Sequence, residues 1–358
     1  MDGMVNTAVV SPFGESTLRC AAFGDMPGLD VSRALAMARV SGRQRWLAAV
    51  VLGGQGRYAR AASVLVELIN DADPVLAALA GCTLAAHRRQ LGGHAAAMAL
   101  DGAALARLAD VTVRRWGGRV ASRTLTSSAN ASIDDADVDG ADFPGALLDA
   151  LAGLAADAIG LGRLDTAARL LTRASEIEPV SWRGEVRRCW VGAELALARG
   201  RAREAVPLAE RAAQLARASA NARTRVGGAQ ALRHTVKSDL VLAASLLAAH
   251  PNGPADASNT DAERVRQRAT KLLKNVVAVS LKRGIGSLVW PSAALLVNLW
   301  PDRSKNWQEL TNMSLNCVLT GSDPVGRRLA EASAWVPTGL LHSSDTAEPV
   351  GGRNFFTD

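Results

Sequence analysis

LLDALAGLAADAIGLGRLDTAARLLTRASEIEP, residues Leu147–Pro179, holds two apolar runs of helical period joined at one glycine, Gly162. Glycine can take a positive φ, which ends a helix and turns the chain within a few residues. Ala155 lies seven residues before this glycine, Ala167 five after and Ala174 twelve after. Small side chains where two helices cross let their backbones approach closely. The stretch predicts an antiparallel helix pair packed on its alanines.

The same signature recurs at Gly56, Gly92 and Gly200. Seven residues before these glycines stand Ala49, Ala85 and Ala193; five after stand Ala61, Ala97 and Ala205. Twelve after come Leu68, Ala104 and Ala212, and two after come Tyr58, His94 and Ala202, with Leu164 in the Gly162 unit. Gly56 to Gly92 and Gly162 to Gly200 are each a little over the ~34 residues of the commonest helical repeat. Pro207 falls inside the second helix of the last unit, and Asp101 and Ala209 stand where a bulkier apolar residue is usual.

This pattern resembles the tetratricopeptide repeat family over about Val31–Leu108 and Pro144–Arg217. Leu147–Pro179 is the best unit, and Arg43–Pro74, with Trp46, Tyr58 and Pro74, is also good. The resemblance implies an all-α fold: an α-solenoid of antiparallel helix pairs, wound as a right-handed superhelix and closed by a helical C-terminal cap. It also implies that the first helix of each pair lines a concave groove. Thirteen and ten residues before the turn glycines, Arg43 and Trp46 in one unit match Arg187 and Trp190 in another, and Arg89 and Glu194 share that face. Arg and Trp anchor interfaces through forked contacts to carboxylates and through area. Filling the core between repeats is the competing use of the tryptophans.

Composition agrees with helices. Of 358 residues 48% are hydrophobic and 21% charged, but only 4% aromatic, with eight Trp and one Tyr. Sheets draw on aromatic and β-branched residues that are scarce here, whereas alanine has the lowest cost in a helix interior. Predicted organisation is an N-terminal arm at 1–30, helix pairs at 31–110, a polar loop at 111–143, helix pairs at 144–250, a linker at 251–261, a C-terminal helical region at 262–336 and a tail at 337–358. Within the C-terminal region, helices are expected at 262–283, Val289–Trp300, 304–319 and 324–335, where they would cover the last apolar face of the array.

Net charge is +7. Basic stretches at 223–237, containing Gln230–Lys237 (QALRHTVK), and at 262–283 are candidate anion surfaces. Arg233 and Lys237 lie four apart on one helix and form a secondary basic patch suited to phosphate or an acidic peptide. The run Asp135–Gly140 (DADVDG) matches half of a calcium loop, but Ala146 stands where a bidentate Glu is required, so it is read as an acidic linker. Cys20, Cys82, Cys189 and Cys317 form no CxxC pair, and the histidines have no metal spacing, so buried free thiols and no metal are expected. No phosphate-binding loop, nucleophile elbow or HExxH occurs. No leader peptide or membrane span is expected, which points to the cytoplasm.

The expectation is therefore a non-catalytic, cytoplasmic protein–protein interaction scaffold, possessing no cofactor, that holds an acidic peptide or helix near Arg43, Trp46, Arg89, Arg187, Trp190 and Glu194. The alternative is a nucleic-acid-associated regulator using the basic helices at 223–237 and 262–283.

Overall fold

The computed structural model describes residues 14–36, 40–116, 136–178, 180–223, 229–250, 260–300 and 304–338. Among these residues there are fifteen α-helices and no strand. Residues 1–13 of the expected arm, 117–135 of the loop at 111–143, most of the 251–261 linker, Pro179 and the tail beyond 338 lie outside them.

Four helix pairs form the body: α3 (Gly42–Gly54) with α4 (Tyr58–Leu68), α5 (Pro74–Gln90) with α6 (His94–Trp116), α7 (Phe143–Gly160) with α8 (Leu164–Ser175), and α9 (Trp182–Ala198) with α10 (Ala202–Ala222). Gly56, Gly92, Gly162 and Gly200 all have positive φ, between 71° and 79°. Each bend closes in the same way. In the third pair the Arg163 amide donates to Ala158 O at 2.7 Å and the Gly162 amide to Ile159 O at 2.9 Å, satisfying carbonyls that the ending helix leaves free. The alanines at the seven-before and five-after positions of all four units are buried, 0% exposed.

The two helices of a pair start differently. First helices are capped by side chains: Ser41 with Gln44 in a capping box, Asp73 before Pro74, Asp142 and Ser181. Second helices starting from Arg57, Arg163 and Arg201 have no such cap, because the glycine bend has already set their direction. Successive first helices also touch one another, α3 to α5, α5 to α7 and α7 to α9.

After α10, α11 (Leu232–Ala249), α12 (Thr260–Arg283), a 3-10 turn at Gly286–Leu288, α13 (Val289–Leu299), α14 (Lys305–Thr320) and α15 (Pro324–Glu331) follow in sequence, each packed on the one before. The C-terminal region does not lie only over the last pair, as a terminal cap would. It returns to the first two. The Ala59 amide donates to Gly321 O at 2.7 Å, Ser287 Oγ to Gly54 O at 2.9 Å, and Arg88 pairs with Asp323 at 2.7 Å. Tyr58 and Leu91 of the first two pairs share an apolar cluster with Leu315, Val318 and Ala330.

Two further expectations change. Residues 14–30 are not an arm: α1 (Glu15–Phe23) packs on α3 and contacts α11, with Leu18 fully buried. A short helix α2 (Ser32–Leu35) also meets α3. At the other expected break, α6 continues to Trp116, and of residues 136–142 the central Asp139, Gly140 and Ala141 are buried. Cys82 and Cys189 are buried thiols, but Cys317 is exposed. Helix α7 has the length and mean hydropathy (1.3) of a membrane span, yet 67% of it is buried inside the protein.

Candidate functional site: an internal chamber lined by arginine and tryptophan

Side chains of α3, α5, α7, α9 and α11 meet around a cavity of about 290 Å³, covered on one side by the segment Ser287–Pro291. Of the sequence-derived groove residues, Trp46, Arg89, Arg187, Trp190 and Glu194 line it. Arg233 and Lys237, expected to form a separate patch, line it as well. The chamber thus merges two candidate sites that are far apart in the chain, because α11 packs against α9 with that face inward.

Arg43 does not join them. Its guanidinium donates to Asp137 at 3.1 Å and to the Ala141 carbonyl, in a separate cleft that also contains Glu15 and Arg19. The Arg–x–x–Trp match therefore breaks in three dimensions. Trp46 turns inward with Nε1 donating to Thr83 at 2.9 Å, while Arg43, one turn earlier, meets the loop before α7. Trp190 keeps the inward role in its unit and donates to Ser238 at 2.9 Å.

Most of the chamber's arginines are neutralised from behind. Arg89 donates to Asp157 at 2.7 Å and also bonds Asp101. Arg183 and Arg187 share Asp149, at 2.8 and 3.3 Å. Asp101 and Asp157 are fully buried. Burial, with Asp157 close by, pushes Asp101 up to about 7 against the pull of Arg89. Gly153 makes room for this carboxylate: a Cβ there would lie 2.2 Å from it.

Arg233 and Lys237 differ. Among the described residues neither has a carboxylate within ion-pair distance. Arg233 lies along Gly54, where a Cβ would meet its Cδ at 3.2 Å. Lys237 Nζ sits 4.4 Å from the Trp190 ring centroid, a cation–π contact. Burial lowers both groups, Arg233 to about 10 and Lys237 to about 8; Glu194 pulls Lys237 back, and Arg187 and Arg233 push it further. Apolar walls surround them. His234 stacks on Trp190 at 5.6 Å and meets Trp182 edge-on at 4.9 Å, and Phe23 lies 5.9 Å from Trp46. Burial and the neighbouring arginines keep His234 and His87 neutral, His87 at about 3.

What sequence reading missed is the clamp behind the chamber. Asp139, fully buried, accepts from Arg19 of α1 at 3.1 Å, from Trp182 of α9 at 3.1 Å and from Arg223 beyond α10 at 2.9 Å. Arg183 donates to the Asp139 and Gly140 carbonyls at 2.6 and 3.1 Å. The acidic run read as a linker therefore ties four segments together. Its signal was visible as a cluster of aspartates in a chain rich in arginine; which arginines would meet it was not. Among the described residues no cluster of His, Cys, Asp and Glu is arranged to hold a metal.

No protein family, curated protein or solved structure matches the chain.

Proposed function

We propose that this protein is a non-catalytic binding scaffold of tetratricopeptide type, an α-solenoid whose inner face recognises an acidic partner. The observation that carries this reading is convergence: first helices α3, α5, α7 and α9 all send side chains to one cavity, and its unneutralised charge is positive. Equivalent positions of successive units facing one space is the arrangement that a curved stack of helix pairs produces. The inner wall is made of Arg and Trp, the residues that most often anchor recognition. Adaptor or regulatory roles in the cytoplasm are compatible with such a face.

The test is a thermal-shift and native-mass-spectrometry screen of the full chain against acidic peptides and small organic acids. A binder should raise the melting temperature, by ~2.7 kcal/mol of stability at a hundred times its Kd, and be recovered unchanged. Chemical conversion of a bound compound would overturn the non-catalytic reading.

Nucleic-acid association is the second reading, and one observation favours keeping it. Lys271, Lys274 and Lys282 on α12 are exposed, and among the described residues none has an ion-pair partner. It is confined to α12, since Arg223 is fully buried against Asp139 and Arg233 and Lys237 face the chamber. Binding of RNA or DNA that weakens steeply with salt would support it.

A further inference from the structure

We propose that the chamber is a site for one small organic oxyanion carrying a flat apolar group, with Arg233 and Lys237 as the residues that hold its charge. The inference rests on the inner face being a binding surface and goes further, because it names the chemical class of the occupant.

Size comes first. A cavity of about 290 Å³ equals the liquid volume of roughly ten water molecules at ~30 Å³ each. It lies at the lower limit of ligand pockets, ~300 Å³. A single ring with a charged substituent fits a space of this size, whereas most of a helix or an extended peptide would lie outside it.

Charge comes second. Five cations line the chamber: Arg89, Arg183, Arg187, Arg233 and Lys237. Three are matched by Asp149, Asp157 and Asp101, which reach their guanidinium groups from behind. Arg233 and Lys237 are left with Glu194, which attracts Lys237 but forms no ion pair with it. Two cations below the surface for one distant carboxylate are costly to hold unless a further anion joins them. The deficit corresponds to one negative charge, or two when Asp101 carries its proton. Among the described residues, buried arginines elsewhere are neutralised: Arg19, Arg88 and Arg223 each have an aspartate partner within 3.1 Å. The chamber is the exception.

Shape comes third. Trp190, Trp46 and Trp290 line the cavity together with Phe23. An aromatic wall of this kind suits an apolar ring, while forked guanidinium groups donate to carboxylate or phosphate oxygens. Carboxylate and phosphate share this chemistry, and the two probes below separate them.

The full chain is titrated by calorimetry with benzoate, phenyl phosphate, benzamide and inorganic phosphate, and the titrations are repeated with Arg233→Met and Lys237→Met. Benzoate or phenyl phosphate should bind, neutral benzamide should not, and inorganic phosphate should bind more weakly than phenyl phosphate. Each variant should bind at least tenfold more weakly, yet melt at the same temperature as the unliganded protein or higher, because each removes a half-buried charge that has no ion-pair partner. Failure of both aromatic anions to bind would overturn the proposal, as would equal binding of benzamide. Variants that melt well below the wild type would overturn the anchoring role. If an acidic peptide binds while both aromatic anions do not, this inference fails and the inner-face reading stands; if nothing acidic binds, both fail.

Discussion

The bends at Gly56 and Gly92 have the same backbone geometry as those at Gly162 and Gly200, with φ between 71° and 79° in all four. Their surroundings differ. A Cβ on Gly92 would lie 1.9 Å from Ser333 Oγ, and one on Gly56 would lie 3.0 Å from Val318, whereas nothing comes within 4 Å at Gly162 or Gly200. The first two pairs are sealed at the bend by the returning C-terminal segments; the last two are open there and are secured instead from within, through Asp139 and its arginines. Units with one local code can thus depend on different distant parts of the chain. The C-terminal helices are an integral part of the first half, and the segment before α7 is an integral part of the second.

The largest effect is expected where the second half is held. Asp139→Ala would leave the Arg223 guanidinium, fully buried, without its carboxylate. Breaking a buried pair costs about 3–5 kcal/mol. Denaturant unfolding should report that loss; a change within ~0.5 kcal/mol, as at an ordinary surface site, would mean the clamp is not what secures α7 to α10.

Next comes the contrast between bends. Gly200→Ala should cost only the price of a left-handed alanine, ~1–2 kcal/mol. Gly92→Ala adds a collision with Ser333, and overpacking of that kind costs a further ~1–3 kcal/mol. Melting curves of the two variants should therefore separate. Equal losses would show that the C-terminal segment does not press on the first half.

The smallest effect is a pH dependence at the inner wall. Lys237 titrates near 8 in the folded protein against an ordinary 10.5, first because of burial, with Glu194 opposing and Arg187, Arg233 and Arg89 reinforcing. Between those values the unfolded chain holds a proton that the folded chain has lost, so the Lys237 contribution makes stability rise with pH; below about 8 the burial cost is fully present. Tyr58, raised by burial from 10, acts in the opposite direction only above that value. Urea midpoints across pH 8 to 10 should rise more in the wild type than in Lys237→Met. Identical slopes would mean that Lys237 is solvated.

Helices and their pairing were legible in the sequence, and the reason is local. A glycine that must take positive φ, and alanines at fixed distances on either side, are short-range requirements, and all four glycines and all eight flanking alanines are where that pattern demands. The site was legible in part. Trp46, Arg89, Arg187, Trp190 and Glu194 meet because equivalent faces of successive first helices line one space, but Arg43, at the position equivalent to Arg187, leaves for Asp137. That departure depends on a loop more than ninety residues away in the chain.

Helical period and bend positions come from the chain's own local chemistry, since each depends on the φ, ψ and side-chain size of residues within a few turns. Only the tertiary structure decided that α14 and α15 return to the first two pairs, that the DADVDG aspartates meet Arg19 and Arg223, and that Arg233 and Lys237 face inward. A guanidinium forms the same ion pair with any aspartate that folding brings near it, so a charge pattern along the chain does not say which partner it will have.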